Sequence, residues 1–190
     1  MNRTRIAALC AAASFVVLAG ATLAPPAFAE KTVEVGGAPM YPSKNIVQNA
    51  VNSKDHTTLV TAVKAAGLVD TLMSPGPFTV FAPVNKAFEK LPKGTVETLL
   101  KPENKPTLTA VLTYHVVGGK LSADDLRAKV QEGGGKATLT TVQGEMLTVT
   151  EAGRRLEIVD AKGGKSSITI PDVNQSNGVI HVVDTVLLPK

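Results

Sequence analysis

The strongest constraint on the fold of this chain is a pair of segments far apart in sequence, FTVFAPVNKAF at residues 78–88 and NGVIHVVDTVLLP at residues 177–189. Phe78, Phe81 and Phe88 are the only phenylalanines after residue 29, and the second segment carries the densest β-branched run. β-Branched and aromatic side chains suit a buried pleated surface, so both segments predict strands of one core.

The N-terminus sets the compartment. Arg3 and Arg5 precede an apolar run from Ile6 to Ala24, a Pro25-Pro26 break and the small-residue site Ala27-Phe28-Ala29. This is the pattern of a secretory signal peptide over residues 1–29, and the Pro-Pro break favours cleavage before Glu30 over retention as an anchor. The single cysteine, Cys10, lies inside that segment, so the exported chain is cysteine-free, with neither disulfide nor thiol chemistry. Loss of Arg3 and Arg5 lowers the formal charge from +4 to +2. No nucleic-acid partner is expected: the lysines are scattered, and Arg154-Arg155, the only basic doublet, has no aromatic near it in sequence. No second run long enough for a transmembrane anchor follows residue 29, and the expected location is secreted, either extracellular or periplasmic.

Residues 30–44 hold two glycines and two prolines and predict an extended, partly mobile lead-in; a single domain spans 45–190. Helical spacing predicts helices near Ile46–Val51 and Leu59–Ala66, the second stopped by Gly67. Pro75-Gly76-Pro77 turns the chain into a strand at Phe78–Ala82, after which Pro83 ends pairing and Asn85 caps a short helix bearing Ala87 and Phe88. Further helices are expected over 95–100, 106–113 and from the capping-box start at Ser122. From Lys136 the period changes to alternation, and five strands are predicted between Ala137 and Leu188. Helices segregated from a mainly antiparallel sheet make an α+β domain.

Three ordered blocks resemble the signatures of the fasciclin, or FAS1, domain family. Phe78-Thr79-Val80-Phe81-Ala82-Pro83 with Asn85, Ala87 and Phe88 looks like the first, Tyr114-His115 like the central Tyr-His pair, and Asn177-Gly178-Val179-Ile180-His181-Val182-Val183-Asp184 with Leu187-Leu188-Pro189 like the last. The resemblance covers about residues 45–190. Val84 departs from it where the family often has threonine. It implies a fasciclin-like β-wedge of mainly antiparallel strands with several short helices packed against it. It also implies a role in adhesion to cell-surface or matrix proteins and polymers, without enzymatic activity.

The residues agree with that absence of chemistry. Gly164-Lys165-Ser166 lacks the first glycine of a phosphate loop, and no Gly-x-Ser-x-Gly elbow occurs. His56, His115 and His181 share no ligand-like spacing, so no metal or other cofactor is expected. His56 is expected in an exposed helix-entry loop, and His115 and His181 in strands. Tyr114 and His115 are the candidate binding residues; as strand neighbours they would face opposite sides, the alternative being support of the strand against the Asn177-Gly178 turn. Phe78, Thr79, Phe81, Pro83, Asn85, Phe88, Asn177, Gly178, His181 and Asp184 are the motif residues expected to serve the fold. Asn174-Gln175-Ser176 matches a glycosylation sequon. Exposed strand edges are a second expected binding surface. The alternative function is carriage of an apolar small molecule, a carotenoid or lipid, in a wedge between helices and sheet.

Overall fold

The computed structural model describes residues 32–190, so the expected signal peptide lies outside the described residues. The chain opens with a hairpin, β1 (Val33–Val35) and β2 (Ala38–Met40), whose strands pair antiparallel. Residues 33–40 of the expected extended lead-in thus pair with each other. Gly36 and Gly37 have φ of 60° and 73°, the left-handed pair that a tight two-residue hairpin turn requires. Alternation then sends Val35, Ala38 and Met40 into the core while Glu34 and Pro39 face outward.

Helices α1 (Ile46–Ala50), α2 (Thr57–Ala66) and α3 (Val69–Met73) follow. Asn45 and Gln48 form a reciprocal capping box at α1. β3 (Phe78–Pro83) leads into α4 (Asn85–Glu89), α5 (Thr95–Leu99) and α6 (Lys105–Tyr114), then β4 (Val116–Gly118) and α7 (Ala123–Glu132). The remainder is β5 (Lys136–Thr140), β6 (Met146–Ala152), β7 (Arg155–Val159), β8 (Lys165–Gln175) and β9 (Gly178–Val183).

Seven strands form one sheet in the order β4-β3-β9-β8-β7-β6-β5. The two segments that constrained the fold are neighbours, β3 pairing with β9 in parallel from Phe78 opposite Gly178 to Pro83 opposite Val183; the other pairs are antiparallel. The sheet curls until its ends meet, with Val117 bridged to Thr141 and the Val142 N–H donating to the Val116 carbonyl at 2.8 Å. β4 is therefore not the open edge that edge-strand binding requires.

Both faces of the central strands are buried, and each feeds a separate core. Val80, Ala82, Ile180 and Val182 pack against helices α1–α6 and the hairpin. Phe81, Val183 and the inward residues of β5–β7, such as Leu139, Leu147 and Ile158, fill the curl of the sheet, which α7 closes with Leu126 and Val130. The architecture is α+β, a mostly antiparallel and nearly barrel-shaped sheet with short helices packed on it.

Candidate functional site

The motif residues converge on the ends of β3 and β9, where most of them make long-range hydrogen bonds to backbone. Asn177, just before β9, accepts from the Ile46 N–H at 3.1 Å and donates to the Leu72 and Ser74 carbonyls at 2.8 and 3.0 Å. One side chain thus holds the start of α1 and the end of α3. Asn177→Ala removes all three bonds and strands two buried partners, so it is expected to cost roughly 2–4 kcal/mol in a urea unfolding experiment.

Thr79 is fully buried; its hydroxyl donates to the Gly119 carbonyl at 2.7 Å and accepts from the Leu121 N–H at 2.9 Å. His181 grips the same loop from the neighbouring strand, donating Nε2–H to the Leu121 carbonyl at 2.8 Å while Nδ1 accepts from the Asp172 N–H at 3.3 Å. Its ring stacks on Phe81 at 5.8 Å between centroids. Asp184 accepts from the Ser167 N–H at 2.9 Å. Burial opposes its charge, but that N–H, the Thr185 hydroxyl and Lys90 hold its pKa below the usual carboxylate range.

Asn85 does something other than cap α4. Its carboxamide oxygen accepts from the Thr58 N–H at 3.0 Å and the Thr57 hydroxyl at 3.2 Å, and its Nδ2 donates to the Lys54 carbonyl at 2.9 Å. It caps α2 from across the fold, because Val84 takes the N-cap position of α4 and Asn85, its first helical residue, bonds across to the start of α2. Pro83 closes β3 opposite Val183, and Phe88 is buried in the helical core with Phe78 packed at its margin.

Tyr114 and His115 are not strand residues. Tyr114 ends α6 and His115 is its C-cap, and both are buried, at 0% and 2% exposure. The Tyr114 hydroxyl donates to the Met146 carbonyl at 3.1 Å and accepts from the Ala161 N–H at 2.9 Å. His115 donates Nδ1–H to the Val111 carbonyl at 2.7 Å and accepts from the Leu187 N–H on Nε2 at 3.0 Å, which fixes the neutral imidazole. Burial lowers the His115 pKa to about 4 despite that carbonyl and nearby Asp160, and burial raises the Tyr114 phenol. Neither side chain presents a surface to a partner, and neither reaches the Asn177-Gly178 turn: the pair ties α6 to the β-rich half.

His56 is buried, not exposed, because the turn from Lys54 to His56 packs its ring inward, where Ser53 Oγ meets Nδ1 at 2.9 Å and Nε2 has no hydrogen-bond partner. Burial lowers its pKa, with the Ala82 carbonyl acting the other way. Among the described residues no group of three or more His, Cys, Asp or Glu is placed to hold a metal.

His56 also borders a cavity of about 70 Å³ between the helices and the β3–β9 wall, lined largely by aliphatic side chains such as Met40, Ile46, Leu59, Leu72 and Ile180. An engineered cavity of about 150 Å³ accepts benzene, so this space holds only a smaller molecule unless the helices part.

Residues 54–189 match the family model for the fasciclin domain. The chain is 43% identical over 183 residues to protein sll1483 of Synechocystis, covering 93% of this chain and 94% of that protein. It is 37% identical over 145 residues to immunogenic protein MPT70 of Mycobacterium tuberculosis, covering 74% and 66% of the two chains. With the porcine transforming growth factor-beta-induced protein ig-h3 it shares 35% over 131 residues, 69% of this chain and 17% of that one. The fold matches a FAS1 domain pair of the insect cell adhesion molecule Fasciclin I with a TM-score of 0.69 at 23% identity, covering 78% of this chain and about half, 52%, of that chain. With its motif blocks gathered at the paired ends of β3 and β9, and with this similarity across most of its length, the chain is a member of the fasciclin-domain family.

Proposed function

We propose that this protein is an exported, non-enzymatic binding module that attaches to cell-surface or matrix components, using its surface rather than its motif residues. The observation that carries this reading is the commitment of the chemically capable motif groups: Tyr114, His115 and His181 are buried with both polar capacities bonded to backbone. Relatives bear names such as cell surface glycolipoprotein MPB83, and the matching fold comes from a cell adhesion molecule. No helix among the described residues is long and apolar enough to cross a membrane. Surfaces coated with the exported protein are expected to hold cells of its source, whereas heat-denatured protein and an unrelated exported domain are not. Tyr114→Phe, assayed below its melting temperature, is expected to hold cells as well as wild type. Equal attachment on all surfaces sinks the reading.

The apolar cavity favours a second reading, carriage of a carotenoid or lipid. Its present volume makes that reading depend on displacement of α1–α3 from the sheet. Colour or an extractable lipid in natively purified protein supports it; a colourless, lipid-free preparation counts against it.

A further inference from the structure

Strands β7 and β8 pair only where Glu157–Val159 meet Lys165–Ser167. Beyond that point they part: Arg155 and Leu156 stay with β6, while β8 follows β9. The β8 register slips twice along this stretch, between Ile168 and Ile170 and again before Val173, and Asp172 takes a φ of 57°. Asp172 is held there by its own bonds, its carboxylate accepting from the Ala123 N–H at 2.7 Å and its N–H bound to His181. Bulges of this kind bend a strand and re-aim its side chains. The result is a cleft of about 180 Å³ between the separated strands, bordered also by the first turn of α7.

Three arginines line it: Arg127 from α7, Arg154 from the β6–β7 turn and Arg155 from β7. Arg127 is already engaged, with Asp124 at 3.0 Å and Glu151 at 4.0 Å. Arg154 and Arg155 are exposed and have no ion pair among the described residues. The rest of the lining is aliphatic apart from Thr169, including Ala123, Leu156 and Pro171, with no aromatic ring.

We propose that this cleft binds an acidic polysaccharide, its carboxylate or sulfate groups held by Arg154 and Arg155. A guanidinium is a planar fork that matches both anions with paired hydrogen bonds, which a lysine does not. Without an aromatic platform there is nothing on which a nucleic-acid base would stack. A membrane surface is recognised by clusters of four to eight cations, more than this cleft presents. The proposal rests on the reading of the protein as an extracellular binding module and names the chemistry of its partner; several copies on one repeating polymer would gain avidity.

The test titrates the exported protein against polygalacturonate and chondroitin sulfate, with neutral dextran as the control. Binding to at least one acidic chain and not to dextran is expected, weakening as salt is raised. The Arg154→Ala/Arg155→Ala variant is expected to lose about tenfold or more in affinity, the loss of at least one charge-assisted contact. Arg154→Lys/Arg155→Lys should recover only part of it, and Lys86→Ala/Lys93→Ala, which removes the same charge elsewhere, should stay within about twofold. Equal losses in the arginine and lysine pairs, no binding to either acidic chain, or tighter arginine-dependent binding to single-stranded DNA or anionic vesicles would overturn the proposal. Cell attachment separates the two levels. Attachment without polysaccharide binding rejects the cleft and keeps the module; arginine-dependent polysaccharide binding without attachment does the reverse.

Discussion

Gly178→Ala is expected to destabilise the protein severely, by at least about 4 kcal/mol of the roughly 5–15 kcal/mol that holds a domain of this kind together. A Cβ on Gly178 would sit deep inside van der Waals contact with the Phe78 carbonyl oxygen and 3.0 Å from that residue's carbonyl carbon and amide nitrogen. These are backbone atoms in the first pair of the β3–β9 register, and the Phe78 N–H is itself bonded to the Asn177 carbonyl at 3.1 Å. No side-chain rotation relieves such an overlap, so the strands must separate where both cores begin. Gly118 supplies the control. It pairs with the same Phe78 from the other side of β3, yet nothing lies within 4 Å of a Cβ placed there. Gly118→Ala should therefore melt within about 1 kcal/mol of wild type, because relief of glycine's backbone freedom offsets any small crowding. If Gly178→Ala melted alongside Gly118→Ala, the parallel β3–β9 register would be wrong.

The central place of β3 and β9 is legible in their residues, since both are apolar on both faces and only a strand buried on both faces needs such a run. The capping box at Ser122 and Asp125 is equally readable, because both partners lie within one turn of chain. What the sequence conceals depends on distant neighbours. Asn85 stands at the start of a helix, and only the fold shows that it caps α2, 27 residues earlier. TYHVVGG reads as a strand because Val116–Gly118 is one, but Leu108, Val111 and Leu112 carry the helical stripe up to Tyr114, and the chain turns at His115. Gly36-Gly37 is the opposite case: the turn chemistry is visible in the sequence, and the apolar alternation on both sides is the mark of a hairpin. Arg154-Arg155 is visible as a doublet, whereas Arg127 comes to it only through the packing of α7 beside the parted strands.

Acidification is expected to destabilise the fold through its buried histidines, with His115 contributing roughly 3 kcal/mol between pH 7 and pH 4. His115 titrates near 4 when folded and near 6.5 when unfolded. Above pH 6.5 the ring is neutral in both states and its bonds to Val111 and Leu187 are intact. As the pH falls below 6.5 the unfolded chain takes up a proton that the folded ring refuses, so stability drops until about pH 4, where the folded ring titrates too and the slope from this residue ends. His56 and His181 are displaced downward by the same cause, and they add to the loss in the same direction. Asp184, whose pKa is lowered by its partners, adds its loss only below about pH 4, where the unfolded carboxylate takes up a proton that the folded one still refuses. Urea unfolding of wild type and His115→Gln from pH 7 to pH 4 isolates the imidazole. The variant should be less stable at pH 7, since an amide cannot restore both backbone bonds, but its deficit should shrink by about 2–3 kcal/mol at pH 4 because glutamine does not titrate. A deficit that stays constant with pH would mean that His115 takes up its proton as readily in the folded chain as in the unfolded one, against both the Leu187 N–H pointing at Nε2 and its burial between α6 and the C-terminal segment.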